Sequence, residues 1–150
     1  MDFELSERSL SRLEGVQEPL IQVVKQAIMT TSVDFGVICG LRTVEEQEAL
    51  FDKGATQTLK SKHLEGKAVD LMAYINGRGT WELNVYDEVA DAMKYAAKLH
   101  NVKIRWGAAW TVYSLGDYDG TCEDAMMEYI DIRRAEGKRP FIDAPHFELV

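Results

Sequence analysis

The residues of this chain best suited to chemistry lie in Ser61-Lys62-His63-Leu64-Glu65-Gly66-Lys67-Ala68-Val69-Asp70 and, far downstream, in Asp143-Ala144-Pro145-His146-Phe147-Glu148. Together they supply two imidazoles and a carboxylate, a set that can hold one zinc ion and leave a coordination position open, with a further carboxylate to handle a proton. Zinc is borderline-soft and takes neutral imidazole nitrogen and carboxylate oxygen at roughly 2.0–2.2 Å; three protein ligands leave a site catalytic where four would close it. Water held by such an ion has its pKa lowered to about 7, and a carboxylate in hydrogen-bond reach can take its proton during attack on a carbonyl. These are the parts of a metallohydrolase.

Each group needs an element to aim it. His63 falls in a polar loop before Gly66, which turns the chain without a Cβ penalty, and residues 67–73 read as a strand. On that strand Ala68, Asp70 and Met72 share one face while Val69, Leu71 and Ala73 share the other, so Asp70 can point at a site while its neighbours enter the core. An aspartate in mid-strand is disfavoured without such a reason. At the C-terminus a short strand places His146 and Glu148 on one face and Phe147 and Leu149 on the opposite one.

The rest of the chain reads as scaffold. Apolar residues recur at helical spacing over 6–15 (Leu10, Leu13) and 19–29 (Leu20, Val23, Val24, Ala27, Ile28), with Pro19 suited to a first helical turn. Residues 35–41 predict a buried strand leading into Arg42. Thr43-Val44-Glu45-Glu46 then has capping-box form, opening a helix that Gly54 stops. Arg42 therefore sits at a strand-to-helix junction, where a cation is unfavourable to the helix and a functional reason for it is expected. A polar loop over 55–62, a turn at Ile75-Asn76-Gly77-Arg78-Gly79, helices over 84–100 and 121–136, a strand over 102–106 and an irregular stretch over 107–120 complete the pattern. His100 closes a helix, where the dipole favours an imidazolium, and reads as structural. Helices and strands mix without a βαβ rhythm, which predicts an α+β fold.

At 150 residues the chain fits one domain, 1–150, able to bury roughly two-thirds of its unfolded surface. With 17 Lys and Arg against 25 Asp and Glu it carries a formal charge of −8, which argues against a nucleic-acid-binding face. No signal-peptide pattern and no apolar run near 18 residues is expected to direct it to or through a membrane. Cys39 and Cys122 belong to no C-x-x-C pair and are expected to be buried free thiols.

The S-x-H-x-x-G-x-A-x-D run followed by D-x-x-H-x-E resembles the zinc peptidases of the D-alanyl-D-alanine carboxypeptidase and dipeptidase type. Within them it is most similar to the single-domain phage endolysins that act as L-alanyl-D-glutamate endopeptidases. The resemblance runs from the N-terminal helical segment through Gly40-Leu41-Arg42-Thr43 and Arg105-Trp106-Gly107 to the end. It implies a hedgehog/D,D-peptidase-like domain, a small antiparallel sheet with helices packed around it, and one zinc per chain held by His63, Asp70 and His146. It makes Asp143 the general base, with Glu148 the rival for that role or else the partner of a ligating histidine. Arg42 matches the arginine aimed at the scissile carbonyl oxygen. Ser61 matches a serine lining the substrate groove, and Trp106 is expected to line it too, with Trp110 and Tyr113 open between groove and core.

What the resemblance implies about biology is a monomer that cuts the L-Ala-D-Glu bond of the peptidoglycan stem peptide. It would be made in the host cytoplasm and act on periplasmic peptidoglycan after the membrane is permeabilised. With its net negative charge, recognition must come from a shaped groove. One departure stands out: relatives often carry an aspartate where this chain has Ala109, removing an acceptor that Asp117 or Asp119 would have to replace. Two alternatives stay open. One is a D,D-carboxypeptidase or D-Ala-D-Ala dipeptidase; the other is a non-catalytic zinc-stabilised binding module of the kind found in hedgehog signalling domains, which Asp143 and Arg42 disfavour.

Overall fold

The computed structural model describes residues 2–56 and 58–150. Its helices are α1 (Glu7–Arg12), α2 (Glu18–Thr30), α3 (Val44–Asp52), α4 (Leu83–His100) and α5 (Cys122–Ala135). Its strands are β1 (Asp34–Cys39), β2 (Ala68–Ile75), β3 (Arg78–Thr80), β4 (Ile104–Trp106) and β5 (His146–Leu149), with short 3-10 turns at Lys62–Glu65 and Leu115–Asp117. Local chemistry sets several of the boundaries. The hydroxyls of Ser6, Thr43 and Thr121 accept backbone N–H groups at the starts of α1, α3 and α5, and Glu46 and Asp124 complete reciprocal capping boxes.

The strands form one antiparallel sheet in the order β1-β2-β5-β4, with β3 folded back on β2. The α+β expectation therefore holds. The turn foreseen at Asn76-Gly77 closes the β2–β3 hairpin, both residues adopting positive φ (50° and 78°), as a two-residue type I′ turn requires. The strand β3 that it creates was not anticipated. Beneath the sheet, Phe35, Val37, Val69, Leu71 and Phe147 pack with Leu20, Val23 and Val24 of α2 and with Tyr86, Val89 and Met93 of α4 in one buried cluster. Tyr86 also reaches the sheet with its hydroxyl, which accepts from Ala73 N at 3.2 Å.

Register is what turns this scaffold into a site. Asp70 pairs with His146 on β5 and with Cys39 on β1, the latter across an irregularity between Val37 and Cys39. Residues directly opposite one another in a sheet project to the same side. Cys39, Asp70 and His146 thus form one row on the open face. The neighbouring row is Val69, Phe147 and Trp106. That pairing corrects the expectation for Trp106: it is fully buried, stacks on Phe147 with centroids 6.3 Å apart and donates Nε1–H to Ala144 O at 2.7 Å. It supports the His146 turn from the core side and cannot touch a substrate.

Candidate metal centre

His63 is aimed by the 3-10 turn that Ser61 caps, its hydroxyl accepting from His63 N at 3.2 Å. The turn ends at Gly66 with φ 70°, where a side chain would collide with the Gly15 carbonyl. His146 is aimed by the turn that begins at Asp143, closed by His146 N–H donating to Asp143 O at 3.0 Å. Gly107 receives that turn: its carbonyl accepts from Asp143 N at 2.8 Å, its N–H donates to His146 O at 2.8 Å, and a Cβ there would strike Asp143 O. Tyr129 of α5 holds the approach, its hydroxyl exchanging hydrogen bonds with the N–H and carbonyl of Phe141.

The two imidazoles meet at Asp70. His63 Nε2 lies 3.3 Å from Asp70 Oδ2 and His146 Nδ1 lies 3.2 Å from Oδ1, with ring centroids 5.2 Å apart. The far nitrogen of each ring is already engaged: His63 Nδ1 contacts Gly40 O at 2.8 Å and His146 Nε2 contacts Glu148 Oε1 at 2.8 Å. Both of those partners can only accept, so the protons of the neutral rings belong there. The remaining nitrogen lone pairs then face a carboxylate that is itself an acceptor, and only protons or a cation between them can reconcile the three. A donor set of two imidazole nitrogens and one carboxylate fits zinc.

Without a metal, protons take that place. Burial disfavours imidazolium at both rings, but Asp70 together with Cys39 outweighs it and lifts His63 to about 10, and Asp70 together with Glu148 lifts His146 to about 9. Burial likewise opposes the Asp70 carboxylate, yet His146 and His63 hold its pKa below the usual range. Glu148 is also held low against its burial, by His146 and by Lys62, whose Nζ is 3.3 Å from Oε2.

Around this cluster lies an open cleft of about 580 Å³, lined by Arg42, Ser61, Trp110, Phe141, Asp143 and the three clustered residues among others. Asp143 has a carboxylate oxygen within 4.8 Å of an Asp70 oxygen and a His146 ring nitrogen, and its pKa is raised by burial and by the Asp70 charge. Arg42 reaches to 3.7 Å from Asp70 Oδ2 with its side chain only 12% exposed, so it is not a solvated residue at a helix start. Of the remaining expectations, Ser61 and Glu148 line the cleft and Trp106 does not. Trp110 takes the place foreseen for Trp106, lying 5.7 Å from His146 between ring centroids and held by Arg105, which packs over the indole and donates Nε–H to Trp110 O at 3.0 Å. Tyr113 is exposed and outside the cleft, as are Asp117 and Asp119, so neither acid stands in for the one missing at buried Ala109. His100 lies at the end of α4, exposed, near Gln26.

The sequence predicts a buried thiol at Cys39, and the structure differs. Both cysteines are free, but Cys122 alone is buried. Cys39 is half-buried, its Sγ 3.7 Å from His63 Nδ1 and receiving Arg42 Nη2 at 3.3 Å. Its ligand atoms and those of His63 and Asp70 lie within 4.8 Å of one another. Sγ approaches the Nδ1 edge that Gly40 occupies, whereas Nε2 faces Asp70. Its strand position was legible, but the irregularity that swings it into the Asp70 row was not.

Three comparisons bear on what this cleft is for. The family model described as phage L-alanyl-D-glutamate peptidase matches residues 1–150. A protein named L-alanyl-D-glutamate peptidase from Escherichia phage T5 is 31% identical over 154 residues, covering 100% of both chains. One of the same name from Listeria phage A118 is 32% identical over 71 residues, 47% of this chain and 24% of that protein. Among solved structures, the Serratia marcescens L-Ala D-Glu endopeptidase ChiX superposes with a TM-score of 0.73 at 29% identity, covering 99% of this chain and 92% of that one.

Proposed function

Since the chain belongs to the phage L-alanyl-D-glutamate peptidase family, we propose that it is a zinc-dependent peptidoglycan endopeptidase hydrolysing the L-Ala-D-Glu bond of the stem peptide. The observation that carries the reading is the convergence of His63 Nε2 and His146 Nδ1 on Asp70, with Asp143 and Arg42 beside them in one cleft. Residues 1–150 act as one zinc peptidase domain, a monomer with one zinc per chain held by His63, Asp70 and His146. Bound there, zinc supplies Lewis acidity and brings the pKa of water toward neutrality.

Each protein group has a distinct task. Asp143 takes a proton from the attacking water and delivers it to the leaving D-Glu nitrogen, a role suited to a carboxyl whose pKa is raised. Arg42 donates to the scissile carbonyl oxygen as negative charge develops on it. Glu148 and the Gly40 carbonyl fix the tautomers and orientations of His146 and His63. Ser61, Trp110 and Phe141 shape the wall that receives the peptide. The substrate lies outside the inner membrane, so action follows opening of that membrane. Among the described residues, no helix is long and apolar enough to cross one.

The test is digestion of purified Gram-negative peptidoglycan by zinc-loaded protein, by its Asp143→Ala variant and by chelated protein, with new termini identified by mass spectrometry. New N-terminal D-Glu is expected from the loaded protein alone. Free D-alanine would move the assignment to a carboxypeptidase, and intact peptidoglycan despite stoichiometric zinc would favour a binding module.

A further inference from the structure

Helix α3 touches the rest of the molecule in an unusual way: of its nine residues, only Gln47 is buried. At the one fully buried position of a helix an apolar side chain gains most, because burying an amide costs free energy unless both its ends are hydrogen-bonded. Gln47 is 1% exposed, and both ends are satisfied. Oε1 accepts from Arg42 Nη1 at 2.7 Å, and Nε2 donates to the Thr58 carbonyl at 2.6 Å. A guanidinium can only donate and a carbonyl only accept, so these partners fix which way the amide points.

Both partners belong to the cleft. The other guanidinium nitrogen, Nη2, donates to Cys39 Sγ at 3.3 Å and lies 3.7 Å from Asp70 Oδ2. Thr58 stands in the cleft wall with Lys60 and Ser61, its hydroxyl accepting from Lys60 N at 2.9 Å and donating to Lys60 O at 3.1 Å. One buried amide therefore spans the cationic group over the cluster and the wall that faces it.

We propose that Gln47 is a positioning residue for the peptidase reaction: it holds the Arg42 guanidinium over the cluster and ties that orientation to the cleft wall at Thr58. The inference rests on the role assigned to Arg42 above. Left to itself, a flexible guanidinium beside Asp70 would close onto that carboxylate, and its charge would be neutralised there instead of meeting the scissile carbonyl oxygen. The amide oxygen of Gln47 restrains Nη1 without a charge of its own. Arg42 is thereby kept both placed and cationic.

A double-mutant cycle tests this, with kcat and KM measured on a soluble L-Ala-D-Glu-containing muropeptide for the wild type, Gln47→Met, Arg42→Ala and the double variant, all zinc-loaded. Misplacement of a transition-state group falls on kcat, so Gln47→Met is expected to lower kcat by about 10–100-fold with KM changed less than about threefold. In the Arg42→Ala background the same substitution is expected to change kcat by less than about threefold, because the group it positions is gone. A merely structural glutamine would cost the same factor in both backgrounds; that additivity, or wild-type kcat in Gln47→Met, overturns the proposal. If Gln47→Met loses its zinc or its cooperative melting transition, Gln47→Asn, which keeps an amide one methylene too short, takes its place in the cycle. Should Arg42→Ala retain full kcat, or the wild type fail to cleave, the assigned role or activity fails with no change at position 47, and the proposal falls with it.

Discussion

Asp70 and Asp87 are both carboxylates drawn out of water, and their surroundings push them in opposite directions. Asp70, on β2, faces two imidazoles, whose hydrogen bonds and charge overcome the penalty of burial, with the Arg42 guanidinium 3.7 Å away. Asp87, on α4, is 6% exposed among Glu123, Asp91 and Glu88, and its Oδ1 has no hydrogen-bond partner among the described residues. Burial first, and then those like charges, push its pKa up to about 6. Burial alone thus creates a cost; imidazole nitrogens converging on the carboxylate make it a place where a cation can sit. That difference separates the proposed zinc cluster from an acidic patch that only strains the fold.

The contrast breaks most severely at Asp70. Asp70→Asn removes the charge that both imidazoles share, and zinc is expected to be lost by more than the roughly 10–100-fold that removing an outer hydrogen-bond partner costs. Metal content after gel filtration would settle it, and stoichiometric zinc in the variant would sink the ligand assignment. Glu148→Gln is milder, since the amide can still accept from His146 Nε2 but lacks the charge. Zinc affinity measured by chelator competition should weaken by about 10–100-fold. An unchanged affinity would detach Glu148 from the cluster.

The smallest effect is on stability, and it runs in opposite senses for the two acids. In the metal-free protein the depressed Asp70 contributes stability present above the unfolded value of 3.8 and lost as pH falls. Asp87 is raised, so its contribution is fully present below 3.8 and lost as pH rises through about 6. Asp87→Asn, which carries no charge at any pH, should therefore stabilise the protein at pH 7 by about 1–3 kcal/mol, the order of the differential interaction that an upward shift of this size represents. The gain should vanish near pH 4. Urea midpoints for variant and wild type at the two pH values would expose a pH-independent difference, which would mean that Asp87 titrates alike in the folded and unfolded protein.

Much of the site was legible because its signals are local. His63 lies beside a glycine turn and Asp70 in mid-strand, while Asp143 stands three residues before His146. Each is a short-range pattern whose consequence for side-chain direction follows from strand or turn geometry. The helices were legible for the same reason, with Thr43 capping where expected and α5 opening next to Thr121. Trp106 was misassigned because alternation tells which residues share a face within a strand and not which face of the sheet is open. Pairing with Phe147 puts Trp106 in the core row and Arg105, opposite Glu148, on the cleft side. Gln47 left no trace at all, being one polar residue in a helix of low amphipathicity.

Residue types and their spacing by themselves determined the chemistry this chain can perform: two imidazoles, their acids and an arginine, on elements whose period of two or 3.6 is a property of the backbone. Tertiary structure decided which rows of side chains meet. The β2–β5 register set His146 against Asp70, the irregularity in β1 brought Cys39 beside His63, and the fold of α3 over the loop placed Gln47 between Arg42 and Thr58. Those contacts join residues from 5 to 76 positions apart in the chain. Register between strands depends on packing and closure summed over the whole domain, and no local pattern carries it.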